Sequence, residues 1–205
     1  QRLEIIREHL YRMQTRALIA ELVDEKEAGK KPNADIMIPL VSEVKELNLV
    51  RSWIEEEIAS VEDGLRPSIG TMIETPRAGI TAEEIASAAD FFSFGTNDLT
   101  QLVFGFSRDD IESRVISKYV NEGILSVNPF ETLDSQGVGH VIRHAIEKGR
   151  KSNPELEIGV CGEHGGDPES IKFFFGVGVN YVSCSPFRVP VARLAAAQAV
   201  LSSFN

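Results

Sequence analysis

Five short apolar runs, IMIPL (36–40), GTMIE (70–74), FFSFG (91–95), IGVCG (158–162) and NYVSC (180–184), are each followed by residues at helical spacing. Apolar runs this short, with few polar interruptions, are what parallel strands covered on both faces require. Strands alternating with helices predict a parallel sheet with right-handed crossovers, either open or closed into a barrel. The intervening helices are expected over about 7–26, ending near Pro32 and Asn33, then from Val44 to about Ile58, closing around Gly64. A further helix is expected to open at Thr81, with Glu84 three residues on as a capping box, and another to cover 138–151. Asp167 and Pro168 read as N-cap and first residue of the next helix, and a Leu/Ala-rich tail as the last. The segment 100–135 reads as short helices and loop, which suits the rim of an active site.

Polar residues close three successive runs: Glu74; then Thr96, Asn97 and Asp98; then Cys161, Glu163 and His164. In a parallel barrel such strand ends converge on one mouth, which favours the closed architecture. A complete (β/α)₈ barrel takes about 250 residues and eight strands. With 205 residues and five units, the chain is expected to be an α/β domain spanning 1–205 that forms the C-terminal portion of a TIM-type barrel, its front strands missing. A net charge of -10 argues against a nucleic-acid surface, and no apolar run nears the roughly 20 residues that span a bilayer. The opening QRLEIIREHL lacks the apolar core of a signal peptide, so a cytoplasmic setting is expected. Two cysteines, Cys161 and Cys184, are too few for a disulfide framework.

Magnesium prefers oxygen ligands and takes one or two carboxylates, leaving the other positions to water and substrate. Glu74 and Asp98 supply that set: one such acid alone reads as a helix cap or an ion-pair partner of Arg77, whereas two on successive strands favour the metal. Gly95, Thr96 and Asn97 can bring backbone N–H groups, a hydroxyl and an amide to an anion, or can form a glycine turn with a helix cap. Arg77 can bind a substrate anion or neutralise Asp98. Cys161, beside Gly162 at a strand end, is placed for proton transfer, or is a small core residue. Cys184 reads as core. His164 reads as a structural residue of a glycine loop or an aid to substrate positioning. There is neither a nucleophilic triad nor a P-loop.

The motifs MIETPRA, FFSFGTNDLTQ, GFSRDD, VCGEHGGDPESIKFF and YVSCSPFRVPVARLAAAQA, which span nearly the whole chain, resemble the phosphoenolpyruvate (PEP)-utilising enzymes, most closely the C-terminal domain of the pyruvate, phosphate dikinase family. The resemblance implies a PEP/pyruvate-binding domain that uses Mg²⁺ in interconverting ATP, phosphate and pyruvate with AMP, pyrophosphate and PEP. It implies that Glu74 and Asp98 are the metal ligands and that Gly95, Thr96, Asn97, Asp98 and Gly162 contact substrate, with Arg77 beside them. Cys161 is implied as the acid/base acting on the methylene carbon of the enolate. Ser93 and Tyr181, packing residues by their own pattern, match positions near that thiol.

In that family the phosphoryl group travels on a phosphohistidine of a swivelling domain, and ATP is handled by another; neither is recognisable here. The arginines that clamp substrate on the earliest strands are also absent from these residues, so the chain alone is expected to be inactive. A homodimer is compatible with the resemblance. Two other readings remain: an Mg²⁺-dependent pyruvate-enolate aldolase or lyase barrel, for which IETPRAG alone suffices, and a related PEP-utilising enzyme such as phosphoenolpyruvate synthase. A truncated barrel serving only as an interaction piece is a non-enzymatic alternative.

Overall fold

The structure is a computed structural model that describes residues 5–61, 64–107, 111 and 115–204. Its sheet has five parallel strands in the order of the chain, β1 (Asp35–Ile38), β2 (Ser68–Ile73), β3 (Phe91–Gly95), β4 (Glu157–Cys161) and β5 (Tyr181–Val182). Helices α1 (His9–Glu27), α2 (Val44–Ala59), α3 (Pro76–Ile80), α4 (Ala82–Ala86), α5 (Thr96–Phe104), α6 (Val115–Asn121), α7 (Val138–Ser152), α8 (Pro168–Gly176) and α9 (Val189–Ser202) lie before, between and after them. Sequential strand order keeps every right-handed crossover on one face of the sheet, whereas a doubly wound sheet would reverse direction at a switch point. The fold is therefore an arc of a TIM-type barrel, with five βα units, as expected.

Alternation along the strands divides the two faces. Ile38, Ile69, Ile73, Phe92, Phe94, Ile158 and Val160 point to the helices and are essentially buried, joined there by Leu47, Val50 and Ile54 of α2, Ile85 of α4, and Ile142 and Ile146 of α7. Each such side chain contributes roughly 1.5–3 kcal/mol by leaving water. The other face carries Met37, Gly70, Met72, Ser93, Gly159 and Tyr181, with Met37 and Tyr181 about two-fifths exposed. Gly159 is required there because the Tyr181 ring lies across it, where a Cβ would collide with ring atoms.

Local chemistry accounts for most boundaries. Asp167 caps α8 by accepting from the Ser170 N–H at 2.9 Å, with Pro168 at the first position, as the sequence predicts. The capping box expected at Thr81 is not formed. Thr81 ends α3 with its hydroxyl turned back to donate to the Arg77 carbonyl at 2.9 Å, and it makes no side-chain cap of α4. The chain enters its helix earlier, where Thr75 accepts from the Ala78 N–H at 3.1 Å and Pro76 sets the first turn. The capping box belongs instead to Glu43 and Glu46 at α2. Strand β1 stops at Ile38 because Leu40 adopts φ 53°, a left-handed conformation rare for a branched residue.

Helix α1 is tied to α2 by charge. Glu57, buried at 9% exposure, accepts from Arg16 Nε at 2.6 Å, from Arg16 Nη2 at 2.9 Å and from Arg12 Nη1 at 3.1 Å. The Arg16 guanidinium, then that of Arg12, outweigh the cost of burial and hold the Glu57 carboxyl well down, from 4.5 to about 2. A carboxyl whose folded value is depressed stabilises the fold fully above its unfolded value and loses that contribution as pH falls toward the folded one. Urea midpoints measured from pH 7 down to pH 2 are expected to fall between about pH 4.5 and pH 2 in the parent, and Glu57→Gln is expected to flatten that part of the profile.

Candidate active site

Parallel register brings the polar strand ends together. Ile73 pairs with Phe94 and Gly95 with Cys161, so Glu74, Thr96 and Gly162 leave the sheet side by side at its C-terminal edge. Glu74 is 2% exposed, and its Oε1 accepts from the Leu40 N–H at 2.6 Å, which the left-handed turn at Leu40 aims toward it. Gly95 is the neighbour that permits this: a Cβ there would collide with the Glu74 carboxylate and approach its Cβ and the Met72 methyl, each at 2.8 Å.

Helix α5 begins directly at Thr96, placing Asp98 in its first turn and exposed at the mouth. The Glu74 carboxyl is pushed up to about 7: burial is the largest cause, the Leu40 N–H opposes it, and the hydrogen bond and charge of Asp98 raise it further. Two carboxyl groups thus meet, one of them desolvated, and no ion pair to either is found among the described residues. Such a pair suits a hard cation that takes oxygen ligands. Among the described residues no group of three or more His, Cys, Asp or Glu side chains could hold a metal. The two-carboxylate donor set is of the kind that leaves positions for water and substrate, the habit of Mg²⁺.

Cys161 lies on the same edge. Its sulfur accepts from the Ser93 hydroxyl at 3.4 Å and its thiol donates to the Phe94 carbonyl at 3.7 Å. Burial pushes the thiol up, the Ser93 hydroxyl pulls it back, and the charges of Glu74 and Asp98 add to the rise. Tyr181, also raised by burial, packs over Gly159 on the same face but makes no hydrogen bond to the sulfur. Gly162 has φ 114°, and a Cβ on it would stand 2.9 Å from Thr96 Oγ1 and 3.2 Å from Asn97 Oδ1. Asn97 Oδ1 accepts from the Glu163 N–H at 3.3 Å, joining the two turns.

His164 is fully buried and braces them further. Its Nδ1 lies 2.8 Å from Thr96 Oγ1 and its Nε2 2.9 Å from the Pro129 carbonyl, so the structural reading of this residue is the one its environment supports. The Thr96 hydroxyl, which also lies 3.3 Å from the Cys161 carbonyl, is thereby committed to the protein. Arg77 is directed away from the carboxylate pair: its guanidinium donates to the Ser42 carbonyl and to Glu43 Oε2 at 2.7 Å. Its ion-pair partner is Glu43, not Asp98. Cys184 packs against Ile171, Ala192 and Ala195. Of the GFSRDD motif, Arg108, Asp109 and Asp110 lie outside the described residues. Sequence reasoning missed the Leu40 N–H, whose role depends on one backbone angle, and the neighbourhood of Arg188, which a run of apolar residues conceals.

Comparison with known proteins places the chain in a family. Residues 1–201 match the family described as PEP-utilising enzyme, PEP-binding domain. The chain is 50% identical over 204 residues to pyruvate, phosphate dikinase 2 of Oryza sativa subsp. japonica, covering 98% of this chain and 23% of that protein. It is 50% identical over 207 residues to pyruvate, phosphate dikinase of Clostridium symbiosum, covering 98% and 24%. The chloroplastic pyruvate, phosphate dikinase 1 of Zea mays is 48% identical over 204 residues, covering 98% and 21%. The chain thus spans about a quarter of the length of the curated relatives it matches. A citrate lyase from Burkholderia xenovorans LB400 shares the fold, with a TM-score of 0.57 at 14% identity over 82% of this chain and 50% of that one. With a family model covering all but its last four residues, the chain belongs to the PEP-binding domain family of the PEP-utilising enzymes.

Proposed function

We propose that the mouth of this sheet binds an enolpyruvate, as PEP or pyruvate, together with Mg²⁺, and that Glu74 and Asp98 are the metal ligands. The observation that carries this reading is the meeting of a buried carboxylate with a second one at the C-terminal ends of neighbouring parallel strands, with no ion pair to either among the described residues. A divalent cation held there supplies Lewis-acid stabilisation of negative charge developing on a ketone oxygen. The chain's own groups do the rest. Asn97 and the backbone N–H groups of the first turn of α5 face anionic substrate atoms; Thr96 takes part through its backbone, since its hydroxyl is spent on His164 and Cys161. Gly95 and Gly162 leave the space that a side chain would fill.

Cys161 is the proposed acid/base at the methylene carbon. Burial and the nearby carboxylates keep its thiol protonated at neutral pH, ready to give its proton to carbon, and the Ser93 hydroxyl stabilises the thiolate left behind. Tyr181 shields that face of the sheet at Gly159. In the longer enzymes, residues equivalent to 1–205 would supply the pyruvate/enolate half-site for interconversion of ATP, phosphate and pyruvate with AMP, pyrophosphate and PEP. The phosphoryl group would arrive on the phosphohistidine of a domain outside these residues, and the domain would serve in a homodimer. Among the described residues no helix is long and apolar enough to cross a membrane, and the cytoplasm, or a plastid as the name of the Zea mays relative says of that protein, is the proposed setting.

Calorimetric titration with oxalate, a planar enolate analogue, is expected to give heat only when Mg²⁺ is present. Glu74→Gln and Asp98→Asn are each expected to weaken that binding about tenfold or more, the scale of one charge-assisted contact. Binding of oxalate that ignores the metal, or survives both substitutions, sinks the assignment. A second measurement reads Cys161: with Mg²⁺ in D₂O, exchange of the pyruvate methyl protons followed by NMR is expected for the parent and lost in Cys161→Ala, while oxalate binding persists. Cleavage of a 4-hydroxy-2-keto acid in the same tubes would favour the aldolase reading instead.

A further inference from the structure

An enolpyruvate that carries both a carboxylate and a phosphoryl group needs more positive charge than one divalent cation between two carboxylates leaves over, and Arg77 is held by Glu43 and the Ser42 carbonyl. Another guanidinium stands at the same mouth. A cavity of about 210 Å³ opens between the C-terminal ends of β4 and β5, lined by Gly162, Glu163, Ser183, Cys184, Ser185 and Arg188. It is smaller than the roughly 300 Å³ at which sites for drug-sized ligands begin, which suits a small ion.

The cavity is built by two glycines. Gly165 lies against the Ser183 carbonyl and Gly166 against the stem of Arg188, and a Cβ at either would collide with those atoms. The EHGG turn thereby lets the β5–α9 connection close down and pins the aliphatic part of Arg188, a residue that lines the cavity, but not its guanidinium head. That head makes no hydrogen bond or ion pair with any described residue. Its five donors are therefore unspent, in a fork that fits a planar or tetrahedral oxyanion. Ser183 and Ser185 line the same space. Its floor, Gly162 and Glu163, is shared with the substrate turn, since the Glu163 N–H donates to Asn97 Oδ1 at 3.3 Å.

We propose that this cavity is a phosphate subsite, with Arg188 as its cation and Ser183 and Ser185 as hydroxyl donors. It extends the functional reading only in saying which phosphate arrives there; the binding itself stands apart from the carboxylate pair. Glu163 on the rim repels an anion and keeps the affinity low, so the site takes phosphate from a concentrated supply or from a group already tethered nearby.

The test uses the full chain without metal. Inorganic phosphate added to ¹⁵N-labelled protein is expected to shift the amide signals of Gly162, Ser183 and Ser185 to saturation. Arg188→Gln is expected to raise the dissociation constant about tenfold or more, Arg188→Lys by less, and Glu163→Gln to lower it. Gly166→Ala, which displaces the Arg188 stem, is expected to act like Arg188→Gln. PEP with Mg²⁺, added to a second sample, separates the sources: shifts at the same three amides assign the subsite to a phosphoryl ester, and shifts with inorganic phosphate alone assign it to the free ion. Absence of phosphate-induced shifts at these amides, or shifts untouched by Arg188→Gln, would overturn the proposal whatever oxalate does at Glu74 and Asp98.

Discussion

Everything at the mouth depends on the register in which β2, β3 and β4 pair. Side chains alternate along a strand, so a slip of one residue would carry Glu74, Ser93 and Cys161 to the helix-covered face and bring Ile73, Phe94 and Val160 out. The burial of those three apolar residues, each at 0% exposure, is what holds the register. The hydrophobic layer between sheet and helices thus sets the positions of polar groups that it never touches. Gly95 adds a steric condition to the same pairing, because only a residue without a side chain allows β3 to pass so close to the Glu74 carboxylate.

The electrostatics of the site follow from that packing. Glu74 is buried by the close approach of β1 and β3, and the Leu40 N–H recovers only part of what burial costs it. The result is a carboxyl that meets Asp98 with no cation at hand among the described residues, an arrangement that an added positive ion relieves. Cys161 feels the same field, and its thiol is held protonated by burial and by both carboxylates. The raised Glu74 carboxyl and the raised Cys161 thiol therefore share one cause, the desolvation of a strand end. The charges outside the mouth are arranged differently: Arg12 and Arg16 on Glu57, Arg51 on Glu55 and Asp90, and Arg77 on Glu43 are paired and fasten helices to one another or to the sheet.

Much of this was legible in the sequence because it depends on neighbours along the chain. The five apolar runs, the order of strands and helices, and the Asp167–Pro168 start of α8 all rest on local periodicity or local hydrogen bonding. So did the gathering of Glu74, Asp98 and Cys161 at one edge, since parallel strands in sequential order allow no other end for them. The motifs around these residues carried the family, and the family model covers 1–201.

Groups whose partners lie far away in sequence found those partners only on folding. Thr81 has the local signature of a cap, yet the Arg77 carbonyl claims its hydroxyl and Thr75 takes that part. Arg77 has an acidic residue close by in the motif, but Glu43, 34 residues earlier, sits nearer in space. His164 is a glycine-loop histidine by sequence and a buried brace between Thr96 and Pro129 by structure. Arg188 lies in an apolar stretch, and only the fold lays its stem against Gly166 and makes it line a cavity beside Gly162. Spacing along a chain determines which residue types share a strand or a helix face; burial and long-range distance, which set pKa values and partner choice, exist only once the sheet has closed the gaps between them.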